Sequence, residues 1–173
     1  MAKKNAGKLF EKDLENSCPP YVFMHRVRDL IYMAGSSSIC DYIVYKHPNL
    51  FLFELKSHKG VSIPIKEEFK TKNGVTELKR YGVITVKQLE GLFEESKKLG
   101  VHAGFIFNFR EKFSTYYVPV EKVYEFIKSP NRERNSIPME WCEENGIRIA
   151  QTKNRTRWTY DFRFLDLIGG DEK

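Results

Sequence analysis

The chain reads as a mixed α/β fold, a β-sheet flanked by helices, on three observations. Apolar residues recur at helical spacing in residues 6–18, 85–99 and 120–127. They alternate at strand spacing in residues 103–109. An unbroken apolar run, Leu50-Phe51-Leu52-Phe53, fills the second arm of a hairpin-like stretch that starts at Cys40. Helices and strands interleave instead of separating into blocks, which is the order of a sheet covered by helices. No repeat or linker divides the chain, so a single domain over residues 1–173 is expected.

Composition limits the function classes. A content of 41% hydrophobic and 14% aromatic residues excludes a disordered chain. Twenty-nine basic against 23 acidic side chains leave a net charge of +6, which suits an anionic partner such as nucleic acid. Cys18, Cys40 and Cys142 are scattered without metal-ligand spacing, as in a reducing compartment. With neither an apolar signal core nor a run of membrane-spanning length, the expectation is a cytoplasmic protein with no membrane partner.

In chain order, Phe10, Leu14 and Cys18 fall four residues apart and define a first helix, stopped by Pro19-Pro20. Residues 22–27 follow as a strand with Arg26 and Arg28 on one face, and a loop, Gly35-Ser36-Ser37-Ser38, feeds the hairpin. Residues 66–81 form a polar insertion around Asn73-Gly74, a strong turn signal that makes either a projecting hairpin or a surface loop. Thr85-Val86-Lys87-Gln88 fits a capping box; Leu89, Leu92, Phe93 and Leu99 mark the helix face behind it, and Gly100 stops it. Ala103, Phe105, Phe107 and Phe109 make one face of a strand. Residues 115–118 are a further strand, Val120, Val123, Tyr124 and Ile127 a helical stripe, and residues 139–145 a short helix closed by Gly146. The segment 151–164 is basic and aromatic: Lys153, Arg155 and Arg157 suit phosphate contacts. Trp158, Tyr160, Phe162 and Phe164 alternate, however, so a final core strand competes with that reading.

The chemistry lies in the hairpin. A turn at residues 46–49, or at His47-Pro48 alone, pairs Tyr45 with Leu50 and sets Asp41 opposite Glu54. Alternation puts Leu52, Glu54 and Lys56 on one face and Phe51, Phe53 and Leu55 on the other. Two carboxylates facing each other at the end of an apolar strand repel unless a hard cation lies between them. Asp41, Glu54 and the backbone carbonyl of Leu55 are thus the expected oxygen ligands of a Mg²⁺ ion, with Mn²⁺ a possible substitute. Lys56, on the same face, would orient water and stabilise charge developing on a phosphate. The competing view is a solvated strand end. The four histidines form no ligand pair, so zinc is not suggested.

Asp41, twelve intervening residues and Glu54-Leu55-Lys56 resemble the PD-(D/E)XK nuclease core, with Cys40-Asp41 where that superfamily often has Pro-Asp. Gly7-Lys8-Leu9-Phe10-Glu11 resembles the opening helix of RecU-type Holliday junction resolvases and their archaeal Hjc relatives. The stretch from Lys56 to Ile65 resembles the segment after the RecU-type catalytic lysine. Gly35-Ser36-Ser37-Ser38 resembles the serine loop of the archaeal enzymes, and Gln88-Leu89-Glu90-Gly91-Leu92 a helix glutamine motif. The resemblance implies a restriction-endonuclease-like core and Glu11 as a further carboxylate at the metal site. It implies Ser36, Ser38 and Gln88 as substrate-side residues. It also implies a homodimer cutting branched double-stranded DNA in recombination or repair, of a size that suits a phage or mobile element.

One departure is that only nineteen residues separate Tyr21 from Asp41, too few for the RecU stalk, while the extra length lies at 66–81. Single residues keep other readings. Glu11 can be a solvated helix charge, Gln88 a capping residue, the serines plain loop, and Arg26 and Arg28 a solvated edge. For the whole chain, an exonuclease or a restriction- or repair-type endonuclease on the same core is one alternative. A non-catalytic nucleic-acid-binding module is another.

Overall fold

The computed structural model describes residues 6–27, 38–65, 68–69, 78–79 and 82–170. Helix α1, Ala6–Ser17, ends one residue before Cys18 and buries Phe10, Asp13 and Leu14. Strand β1, Phe23–Arg26, leads through residues that are not described to β2, Tyr42–Lys46, and β3, Asn49–His58. Strands β2 and β3 pair antiparallel in the expected register, Tyr45 on Leu50 and Tyr42 on Phe53, around the tighter His47-Pro48 turn. After β4, Ser62–Pro64, the short strands β5, Glu68–Phe69, and β6, Leu78–Lys79, pair antiparallel. The insertion therefore has a hairpin stem, although Asn73-Gly74 itself lies outside the described residues.

Helix α2, Val86–Ser96, is capped by Thr85, whose side chain accepts the Gln88 N–H. It ends a turn earlier than the apolar pattern suggests, and Leu99, expected on its buried face, is fully exposed. The cause is local: residues 97–100 close a turn in which Gly100 takes φ +73 and Val101 N–H donates to the Lys98 carbonyl, ahead of β7, Val101–Phe109. A 3-10 turn, Arg110–Lys112, joins β7 to β8, Ser114–Pro119, and α3, Val120–Lys128, follows directly. Strand β9, Ser136–Pro138, pairs with β4 Ser-Ile-Pro to Ser-Ile-Pro, and helix α4, Met139–Asn145, ends at Gly146. A Cβ at Gly146 would stand 2.4 Å from the Tyr117 carbonyl oxygen, so close packing, not a left-handed turn, requires glycine there. Strand β10, Ile147–Arg148, completes the main sheet.

The sheet has six strands in the order β1-β2-β3-β7-β8-β10, with β3 and β7 parallel and the other pairs antiparallel. Its two faces carry separate cores. Leu52, Phe105, Phe107, Val118 and Leu89 pack on the side of α2 and α3. Phe51, Phe53, Ile106, Tyr117 and Phe10 pack on the side of α1. The alternation along β3 and β7 thus buries both faces, and any charge in the middle of β3 must find a partner inside the protein.

The end of the chain corrects an expectation. The aromatic alternation is not one core strand. Trp158 and Tyr160 lie in β12, Arg157–Tyr160, which pairs with β11, Gln151–Asn154, in a separate two-stranded hairpin. Phe162 sits in the turn that follows, and Phe164 opens helix α5, Phe164–Gly169. Period-two spacing is shared by a strand and by a strand that turns into a helix when every apolar residue is buried, as Tyr160, Phe162 and Phe164 are.

Candidate active site

Glu54 and Lys56 project from β3 toward α2. The Glu54 carboxylate is only 2% exposed, and its Oε1 accepts from Lys56 Nζ at 2.5 Å and from Gln88 Nε2 at 2.8 Å. A charge in that position is tolerable because an ammonium and an amide both donate to it. The Gln88 Oε1 in turn accepts from Thr85 Oγ1 at 2.9 Å. Gln88 joins the cap to the strand: its backbone N–H is capped by Thr85, while its side chain reaches across to Glu54.

Asp41 does not sit squarely opposite Glu54. The ladder stops at Tyr42 and Phe53, and the Asp41 N–H donates to the Phe53 carbonyl at 2.9 Å. Its Oδ2 accepts from the Leu55 N–H at 2.7 Å, so the side chain takes up a backbone donor where strand pairing ends. This turn of the backbone eases the direct opposition of like charges and leaves Asp41 half-buried, just beyond the last β2–β3 pair. The buried Cys40 thiol registers both carboxylates: burial first, then Glu54 and Asp41, push it up to about 12.

Glu11 arrives from α1, paired with the Arg26 guanidinium of β1. Burial raises its carboxyl above the ordinary carboxylate value, Arg26 opposes that, and the nearby Asp41 charge raises it further. Glu11, Arg26 and Asp41 therefore share one electrostatic neighbourhood. Ser38 is half-buried, and the adjacent Ile39 packs on α2, its Cγ2 lying 3.0 Å from where a Cβ on Gly91 would be. Ser36 and Arg28 lie outside the described residues. Lys153 and Arg155 are exposed on the β11–β12 hairpin, remote in sequence from the carboxylates. Arg157, on the same hairpin, pairs through Nη1 at 2.8 Å with Asp13, a residue only 2% exposed whose carboxylate also accepts the Trp158 N–H. Asp13 gave no signal in the sequence, because an acidic residue in an otherwise amphipathic helix looks solvated until a distant arginine closes over it.

The donor chemistry fits a hard divalent ion: carboxylate oxygens of Asp41 and Glu54 and the Leu55 carbonyl, all oxygen, in a water-poor corner. Among the described residues no three His, Cys, Asp or Glu side chains close into a ready cage, and Glu11 is turned to Arg26. The set suits an ion that keeps water and takes substrate oxygens, not one enclosed by protein.

No protein-family model matches the chain. It is 29% identical over 189 residues to the SPbeta prophage-derived uncharacterized protein YotM of Bacillus subtilis strain 168, a match spanning 99% of this chain and 88% of that protein. In fold it is similar to Hjc, a Holliday junction resolvase from the archaeal hyperthermophile Archaeoglobus fulgidus. The TM-score is 0.50 at 17% identity, over 82% of this chain and 95% of that one. That likeness shows the fold: a mixed sheet with flanking helices, as expected from the sequence.

Proposed function

We propose that this chain is a Mg²⁺-dependent endonuclease that cuts branched double-stranded DNA, four-way junctions in particular, as a homodimer. One observation carries the reading. At the end of an apolar strand, a buried glutamate is held by Lys56 and Gln88, and Asp41 accepts the N–H of the next residue, Leu55, on a fold similar to that of a junction resolvase. The prophage-derived relative suits an enzyme of mobile DNA.

Asp41, Glu54 and the Leu55 carbonyl would hold the ion, with Glu11 as a further carboxylate. When bound, the ion supplies Lewis-acid polarisation of a phosphate and acidifies water. The chain's own residues do the rest. Lys56 is kept in place by Glu54, so its ammonium orients the attacking water and stabilises charge on the phosphoryl oxygens. The water oxygen bonds to phosphorus, one P–O ester bond breaks, and the departing oxygen takes a proton. Gln88 fixes the rotamer of Glu54. Arg26, Ser38, Lys153 and Arg155 serve the DNA backbone, with Ser36 and Arg28 as further contacts. Paired cuts call for two-fold symmetry, because each protomer supplies one site.

The test is cleavage of a labelled four-way junction beside duplex and single strand of the same sequence, in Mg²⁺ or EDTA, by wild type and Glu54→Gln. Paired cuts confined to the junction, lost in EDTA and in the variant, are expected. Cleavage of every duplex would make the protein a general nuclease. Tight binding without cleavage in either condition would overturn the nuclease reading.

A further inference from the structure

On the far side of α1 from Glu11, the 3-10 turn between β7 and β8 and the β11–β12 hairpin bring Phe113 beside Trp158. The ring centroids are 5.5 Å apart and the planes are tilted by 30°. Phe113 is 57% exposed and adopts φ +49, the left-handed region in which a turn normally places glycine or asparagine. Its ring meets Trp158 and the Lys153 ammonium, which lies 5.8 Å above its ring and 6.0 Å above Trp158, at the mouth of a cleft shared with Leu9 and Phe10 of α1. Strain kept at an exposed position points to a ligand. The surroundings state its charge: Lys153 stands over both rings and Arg110 lines the same cleft, while Glu111 is paired with Lys59.

We propose that the Phe113–Trp158 pair is a stacking platform for an unpaired DNA base, with Lys153 moving from the ring faces to the adjoining phosphate. Aromatic faces among cations are what single-stranded nucleic acid binds through, whereas duplex, with its bases stacked internally, has no face to offer. The placement agrees with the proposed nuclease, on which this inference rests for its biological sense. Lys56 aligns with Phe107 and His58 with Phe109, so the turn carrying Phe113 leaves the sheet at the strand end nearest Lys56. Lys56 faces α2 and Trp158 packs on the α1 side, so DNA that reaches both passes around this end of the sheet. The substrate class this adds is DNA with unpaired bases at a branch, in preference to perfectly paired arms.

The experiment is a titration of the full chain in EDTA with a short oligothymidylate and with a blunt duplex, read by tryptophan fluorescence. Wild type, Phe113→Asn and Trp158→Leu are compared. Asparagine tolerates φ +49, so the turn survives and an unchanged melting temperature verifies it. Stacking predicts quenching of wild type by the single strand, absent in Trp158→Leu, whose remaining Trp141 packs on Phe126. It also predicts about tenfold weaker single-strand binding by Phe113→Asn, with duplex binding unchanged. Equal binding of the single strand by Phe113→Asn and wild type, or an equal loss for both DNAs, would overturn the platform. Because no metal is present, failure of the nuclease reading appears separately, as absence of Mg²⁺-dependent cleavage by wild type.

Discussion

Gln88 shows how one residue serves two structural demands, one through its backbone and one through its side chain. Thr85 caps the first turn of α2 through the Gln88 backbone, and the Gln88 amide is then aimed at Glu54. These roles separate by mutation. Thr85→Ala removes the cap and is expected to cost about 1 kcal/mol of stability in a urea melt, with little change in cleavage. Gln88→Ala leaves the cap and removes a donor to a buried carboxylate, so cleavage is expected to fall about tenfold or more, with a stability loss of about 1–3 kcal/mol in the same melt. If Gln88→Ala unfolds the protein as readily as Thr85→Ala and spares cleavage, Gln88 is a capping residue only.

Secondary elements are tied together by charges that look like surface charges in the sequence. The hairpin of β11 and β12 is clamped to α1 by Asp13, which takes both the Arg157 guanidinium and the Trp158 N–H, and by Ser17, whose Oγ accepts the Tyr160 N–H. Arg157→Ala would leave a nearly buried carboxylate with one backbone donor, at a cost of about 1–3 kcal/mol measurable in the same melt. Arg155→Ala, at the exposed tip, is expected to leave stability alone and to flatten the salt dependence of DNA binding by about one counterion. A reversed pattern would mean that Arg157 contacts phosphate and Arg155 holds the hairpin. The same logic explains Gly104, where a Cβ would stand 2.4 Å from the Tyr117 ring and 2.6 Å from the Val118 carbonyl oxygen, so that β7 and β8 can approach.

At the scale of the molecule, net charge and sheet topology work together. The +6 balance favours DNA nonspecifically, and among the described residues no helix is long and apolar enough to cross a membrane. Binding of a junction is therefore expected to weaken steeply with salt yet survive EDTA, while cleavage disappears with the metal. Sedimentation of the complex in EDTA should give two protomers per junction. One protomer per junction at saturation would remove the paired cut from the mechanism. The two faces of the sheet divide the labour: the α2 side holds Glu54, Lys56 and Gln88, and the α1 side carries Glu11 and the basic hairpin.

The sequence by itself determined what depends on neighbours along the chain. The helical stripes, the β2–β3 register, the sharing of one face by Glu54 and Lys56 and the Thr85 cap are all local, because side-chain period and turn length set them. Tertiary structure alone decided the rest. It turned Asp41 out of the ladder onto the Leu55 N–H, drew Glu11 to Arg26 and closed Arg157 over Asp13. It also set Phe113 against Trp158, from segments whose strands never pair with each other. Each of these joins groups brought together by packing, and packing depends on every element at once, which no spacing along one stretch of sequence records.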